Sequence, residues 1–319
     1  MAVRQRVLPN FFIVGAPKCG TTSIYEYLIQ HPEVFMTRWK EPHFWSTDLY
    51  RPGRISEERY YELFEEGAGK PRVGEASTEY LYSAAACENI KRVFPHARII
   101  IMLRNPVDMI HSGHSQRLWH GRENIPVFEE ALEAESERKR GERLPPYPYP
   151  VETLFYRDVG RYARHVNRYL TTFGRESVHV ILFEELVKTP QEVFRALCAF
   201  LGVSQDAEIS FGQHNANKVP RFRKVPLLFV PTSKVRIAAR GLPAPVHRSL
   251  RLLARVIMKA NTKREKRVPL RPETRRSLEA FFEDDVTELS DLLGIDLARL
   301  WFNPRSSQER ETEHHAGAR

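Results

Sequence analysis

The residues Phe11-Phe12-Ile13-Val14-Gly15 run directly into Ala16-Pro17-Lys18-Cys19-Gly20-Thr21-Thr22, and Ser23-Ile24-Tyr25-Glu26-Tyr27-Leu28 follow with helical spacing. An extended segment that is apolar on both alternating faces must be covered on both sides, as a strand inside a parallel sheet is. Parallel strands need long crossovers, usually helical, so this feature predicts an α/β chain. The join between strand and helix constrains more than the fold. Free backbone N–H groups, the positive end of the helix dipole and the Lys18 ammonium converge there, which suits a phosphate or a sulfate. Gly15 and Gly20 have the spacing of the first part of a Walker A loop, yet Thr21 stands where that loop carries its lysine. The lysine is displaced into the loop, at Lys18.

The same alternation continues along the chain. The pattern predicts a helix over 21–30, ended near His31-Pro32, and a short extended segment over 33–37. The polar and aromatic loop Lys40-Glu41-Pro42-His43-Phe44-Trp45 follows. A helix over 56–66, a strand ending at Val73-Gly74-Glu75-Ala76-Ser77 and a helix from Ala84 to Val93 come next. Arg98-Ile99-Ile100-Ile101-Met102-Leu103-Arg104 is the strongest buried-strand signal, and Asn105-Pro106 opens a helix running to about Leu118. Helices over 127–140, 157–172 and 190–201 and a strand over 178–183 complete the pattern. It implies a doubly wound sheet whose ligands bind at the carboxyl ends of the strands. The loops after Gly15, Thr37, Glu75 and Arg104 all fall on that edge.

The formal net charge of +9 favours anionic partners without choosing among nucleotides, sulfated compounds, membranes and nucleic acid. Cys19, Cys87 and Cys198 are odd in number and far apart, which predicts a reduced compartment without a disulfide framework. The apolar run after the basic start Arg4-Gln5-Arg6 is too short for a signal peptide, and no stretch approaches a membrane span. The expectation is a cytoplasmic protein. From Lys218 to Arg271 the chain is crowded with Lys and Arg, with Glu265 as its one acid, and Leu250, Leu253, Ala254 and Ile257 form an apolar face at helical spacing within it. That segment could cover a cleft, touch a membrane or be solvated. Residues 305–319 read as a disordered tail, after a single domain over 1–304.

A second motif is Ile101-Met102-Leu103-Arg104-Asn105-Pro106-Val107-Asp108 with Ser112 eight residues after Arg104. An arginine and a serine hydroxyl two helical turns apart can jointly hold a terminal phosphate. An ion pair of Arg104 with Asp108 is the competing explanation. Together the two motifs resemble the nucleotide signature of sulfotransferases that use 3′-phosphoadenosine 5′-phosphosulfate (PAPS). The first is similar to that family's 5′-phosphosulfate loop and the second to its 3′-phosphate segment. Lys40 to Trp45 resembles a loop of the bacterial and glycan-type branch. Gly74 to Ser77, Glu184-Glu185-Leu186, Leu201-Gly202 and the last helix before Gly294 and Trp301 also fit, so the likeness spans about 10–302.

The resemblance implies a P-loop-kinase-like central parallel sheet flanked by helices, with 218–270 as a basic helical lid. It implies PAPS as donor, no metal, and in-line transfer to an acceptor hydroxyl on a sugar, phenol, lipid or small metabolite. Pro17, Lys18, Cys19, Gly20, Thr21 and Thr22 would hold the 5′-phosphate, with Lys18 stabilising the leaving oxygen. Arg104 and Ser112 would hold the 3′-phosphate, with Lys218, Arg221 or Arg223 as further contacts. Glu41 would be the base, with His43 as its rival, unless Glu41 is tied up by Lys40 or Arg38. Glu75 would add a polar group to the cleft. A lysine follows this glutamate in the glycan-type branch, whereas this chain has Ala76. Two other classes remain open: a nucleotide kinase, against which Thr21 argues, and a non-catalytic polyanion binder using 218–271.

Overall fold

The computed structural model describes residues 6–212, 218–222, 225, 228, 244–264 and 267–302, so Arg223 and the expected tail lie outside the described residues. Its centre is a five-stranded parallel sheet of order β2-β3-β1-β4-β5. The strands are β1 (Phe11–Gly15), β2 (Val34–Met36), β3 (Arg72–Ala76), β4 (Arg98–Leu103) and β5 (Val178–Leu182). β1 runs between β3, with Phe11 opposite Gly74, and β4, with Phe11 opposite Arg98. All of β1 and all of β4 beyond Arg98 are buried, as apolarity on both faces requires. Each large side chain buried there contributes on the order of 1.5–3 kcal/mol.

Helices cover both faces: α1 (Thr21–Leu28), α2 (Ala84–Val93), α3 (Pro106–His120), α4 (Ala163–Phe173) and α5 (Pro190–Leu201). Their limits follow from local chemistry. Ser83 caps α2 by accepting from Ala86 N at 3.0 Å. Asn105 caps α3 by accepting from Val107 N at 2.9 Å, Pro106 takes the first turn, and Gly121 ends the helix in the left-handed conformation. The segment expected as one helix over 157–172 starts at Ala163 instead, after a short turn at Tyr156–Gly160. The cause is distant in sequence: Asp285 Oδ2 accepts from Tyr162 N at 2.7 Å and from Ala163 N at 3.3 Å, capping α4 from another helix. The charged stretch 127–140 likewise divides into Phe128–Glu133 and Glu135–Lys139 at buried Ala134.

The basic segment adds β6 (Lys218–Pro220) and β7 (Thr262–Arg264), an antiparallel pair, with α6 (Ala244–Ala260) between them in the chain. The last long helix, α7 (Pro272–Leu293), buries Leu278, Phe282, Val286 and Leu289 at helical spacing. Among the described residues no helix is long and apolar enough to cross a membrane. From β1 the chain builds β2 and β3 on one side, then β4 and β5 on the other. The carboxyl ends of β1, β3 and β4 therefore meet at the switch point of the sheet, where crevices form.

Candidate active site

The loop after β1 depends on glycine. Gly20, at φ 89°, is the N-cap of α1, and a Cβ there would come within 2.9 Å of Leu186. Lys18 also has a positive φ, 64°, uncommon for a residue with a side chain and typical of functional loops. The first turn of α1 has no acidic residue and no side-chain cap, so the positive end of its dipole faces the loop unopposed. Burial, with Arg267, Arg104 and Arg117 nearby, pushes the Lys18 ammonium down to about 8. Cys19 is buried and its thiol is pushed up to about 12 by burial, so it fills space as a protonated thiol and not as a reactive thiolate.

At the end of β4, Arg104 donates to Lys18 O at 3.4 Å and stacks over Phe183, 4.5 Å from the ring centroid. Its competing partner is taken: Asp108 pairs with Arg275 at 2.6 Å. Asn105 ties this corner to remote motifs: its Oδ1 caps its own helix, its N donates to Glu184 Oε1 at 3.2 Å and its Nδ2 donates to Trp301 O at 2.7 Å. Ser112 is buried, and Arg267 donates to its Oγ at 2.9 Å and to Ser115 Oγ at 3.1 Å. Arg267 thus holds the position beside Ser112 that the sequence reading offered to Lys218, Arg221 or Arg223. Arg221 is exposed, with its N donating to Asn261 O at 2.7 Å, and Lys218 belongs to β6. Among the described residues, Lys18, Arg104, Arg117 and Arg267 form no ion pair.

The loop after β2 supplies the opposite charge. Glu41 Oε2 accepts from Thr78 Oγ1 at 2.8 Å and Thr78 N at 3.2 Å, and lies 3.1 Å from His43 Nε2. Burial alone would raise the carboxyl pKa. His43, Lys40 and Thr78 outweigh it and hold Glu41 well below the ordinary carboxylate range. Burial lowers the His43 imidazole, which leaves it neutral near pH 7 and able to donate from Nε2 to Glu41. The ties expected to neutralise Glu41 are weak. Lys40 Nζ is 3.9 Å away and donates to Thr22 Oγ1 at 3.1 Å, while Arg38 pairs with Glu66. The Lys40–Thr22 bond joins this loop to the first.

Glu75 does not reach the cleft. It is fully buried behind the loop, accepting from Tyr60 OH at 2.5 Å and Ser77 Oγ at 2.6 Å, and Ser77 Oγ in turn accepts from His43 N at 3.0 Å. Burial raises its pKa. Its work is to support the backbone that carries Glu41 and His43. Glu41 opens into a cleft of about 170 Å³ whose walls include Trp39, Arg51, Arg122, Tyr147 and Tyr149. Arg51 pairs with Glu79. Arg122 is positioned through its neighbour: Glu123 forms a buried bidentate pair with Arg138 at 2.6 and 2.8 Å and accepts from Tyr156 OH at 2.7 Å. His120 is driven down to about 3, chiefly by burial, and it feels the charges of both Lys18 and Glu41. The Lys40–Thr22 bond sets the two halves side by side.

Sequence reasoning passed over Arg267, Arg117, Lys40, Thr78 and Arg122. Lys40 and Thr78 lay beside residues already singled out, and the strand-end rule that found Arg104 also covers Thr78. Arg267 had no such signal.

The model of the sulfotransferase domain matches residues 8–218. A sulfotransferase structure from Alicyclobacillus acidocaldarius is 34% identical with a TM-score of 0.68, covering 92% of this chain and 98% of its own. Carbohydrate sulfotransferase 15 of Mus musculus is 24% identical over 269 residues, covering 64% of this chain and 46% of its own length. The human bifunctional heparan sulfate N-deacetylase/N-sulfotransferase 2 is 28% identical over 217 residues, or 62% of this chain and 22% of its own. The chain thus spans less than half the length of these curated relatives. With the matched segment holding the glycine loop, Glu41, Arg104 and Ser112 on the sheet edge, this chain belongs to the sulfotransferase domain family.

Proposed function

We propose that the chain moves a sulfuryl group from PAPS to an acceptor hydroxyl. The observation that carries this reading is the cluster of Lys18, Arg104, Arg117 and Arg267 at a glycine loop and a helix N-terminus, with no carboxylate paired to them among the described residues. Such a cluster is stabilised by a ligand bearing several negative charges. The donor fits it at two points. Its 5′ end would lie on Pro17, Lys18, Cys19, Gly20, Thr21 and Thr22. Its 3′-phosphate would lie against Arg104, Ser112 and Arg267, the group that distinguishes it from ordinary adenine nucleotides.

When bound, the donor supplies an S–O–P linkage whose S–O bond breaks as the acceptor oxygen attacks sulfur. Lys18 and the α1 N-terminus oppose the charge that grows on the departing phosphate oxygen. Glu41 takes the acceptor proton. It is ionised throughout the neutral range, and its proton affinity matters only as the hydroxyl is consumed. His43 Nε2 and Thr78 Oγ1 fix the direction of the Glu41 carboxylate, which supports orientation as the part of His43 and proton transfer as that of Glu41. Trp39, Tyr147 and Tyr149 offer flat apolar faces beside Glu41, and relatives named for carbohydrate substrates support a sugar as acceptor. The reading predicts that adenosine 3′,5′-bisphosphate raises the melting temperature far more than AMP does, without Mg²⁺. Equal shifts from the two nucleotides would overturn it.

A further inference from the structure

The basic segment that follows the matched domain contains a helix that the reaction does not use. In α6 (Ala244–Ala260), Val246, Leu250, Leu253 and Ile257 recur at the four- and three-residue spacing that aligns them on one face. Positions 248, 251, 255 and 259, occupied by Arg, Arg, Arg and Lys, fall on the opposite face. Among the described residues the apolar face is exposed: Leu253 is 54% exposed and the flanking Val256 64%. Phe222, 70% exposed, adds an aromatic ring at the C-terminal end of the helix, where Asn261 accepts from Phe222 N at 2.8 Å and donates to Phe222 O at 3.1 Å. No aspartate or glutamate occurs from Lys218 to Arg264.

These features belong to a helix that lies in a lipid–water boundary. Its leucine and valine face would enter the acyl region, its arginines and lysine would reach anionic headgroups along their apolar stems, and Phe222 would sit at headgroup depth. We propose that α6 docks this protein on an anionic membrane surface. Charge complementarity selects the occupant: one sign of charge from Lys218 to Arg264 is matched by a negatively charged leaflet. A helix sealing the protein's own cleft would instead bury its apolar face against the core.

The residues that follow α6 hold its end beside the site. Asn261 is buried at the helix end, Trp119 Nε1 donates to Thr262 Oγ1 at 3.1 Å, and Arg267 grips Ser112 three residues after β7. A docked α6 therefore brings the sheet edge close to the bilayer. This contact is independent of the transfer chemistry.

The test is co-sedimentation of the full chain with vesicles of phosphatidylcholine alone and with an equal mixture of phosphatidylcholine and phosphatidylglycerol. Binding to the mixed vesicles should be at least about tenfold stronger. Leu253→Ser combined with Ile257→Ser should weaken it by about tenfold or more, from lost apolar burial. Arg251→Glu with Arg255→Glu should abolish the preference for the anionic vesicles. Both variants should keep the melting shift given by adenosine 3′,5′-bisphosphate, because none of the four positions belongs to the loop or to the residues that would hold the nucleotide. Failure of the parent chain to sediment with mixed vesicles overturns the proposal. So does undiminished vesicle binding by the Leu253/Ile257 variant, which would make the segment a general polyanion surface. A change from dimer to monomer in that variant, without lipid, would make the face a contact between copies and also overturn it.

Discussion

The two halves of the site handle charge in opposite ways. Around Lys18 four cations are held together by backbone, hydroxyls and rings, and none has a carboxylate partner among the described residues. Around Glu41 the carboxylate is met within the protein by His43 and Thr78, with Lys40 3.9 Å away, and a buried Glu75–Ser77 relay steadies the loop beneath. The first half is completed by what binds to it. The second is finished before anything binds. Removing a charge should therefore have opposite effects on stability in the two halves, although both changes harm transfer.

The largest effect should come from Glu41→Gln. Turnover should fall by about 10²–10⁴, the range of a lost general base, while bisphosphate affinity is retained. Full turnover in this variant would move proton transfer to His43. Lys18→Met should lower turnover by about 10²–10³. It should also raise the urea stability of the ligand-free protein at pH 7 by about 1–2 kcal/mol, since a half-buried ammonium crowded by arginines is removed. A loss of stability would show that Lys18 has an internal partner and would erase the contrast.

Smaller effects sharpen it further. Arg267→Ala should weaken bisphosphate binding by calorimetry about ten- to a hundredfold, the worth of a charge-assisted hydrogen bond, with little effect on AMP. An equal loss for both nucleotides would place Arg267 away from the 3′-phosphate. The pH profile of kcat/KM should fall above about pH 8, by roughly fivefold between pH 8 and 9, as the free protein's Lys18 loses its proton. Glu41, held below the ordinary carboxylate range, should give no loss on the acid side until well below pH 4. An acidic limb near pH 6 would point to His43 instead.

The sheet was legible because β1 and β4 are apolar on both faces, a pattern that few other structures tolerate. Helix ends were legible where capping is local, as at Ser83 and Asn105. They were not where the cap comes from afar: nothing near Ala163 announces that Asp285 will hold its N–H. The same division runs through the site. Lys18 and Arg104 sit between a strand end and a helix start, and Ser112 follows two turns along the helix, positions that periodicity locates; Glu41 lies in the loop after β2. Arg267 lies in a run of cations that sequence alone cannot rank, and only the return of the chain after β7 sets it on Ser112. Glu75 was placed correctly on its strand but on the wrong side of the loop, because a strand residue's face depends on what packs above it.

The bond between Arg267 and Ser112 spans 155 residues of chain. At about 5–20 residues per second of synthesis, the ribosome releases the serine roughly eight to thirty seconds before the arginine. The glycine loop and α1 emerge earlier still. A nascent chain thus carries the front of its anion site well before the back, and the cation cluster is assembled only after Arg267 has emerged.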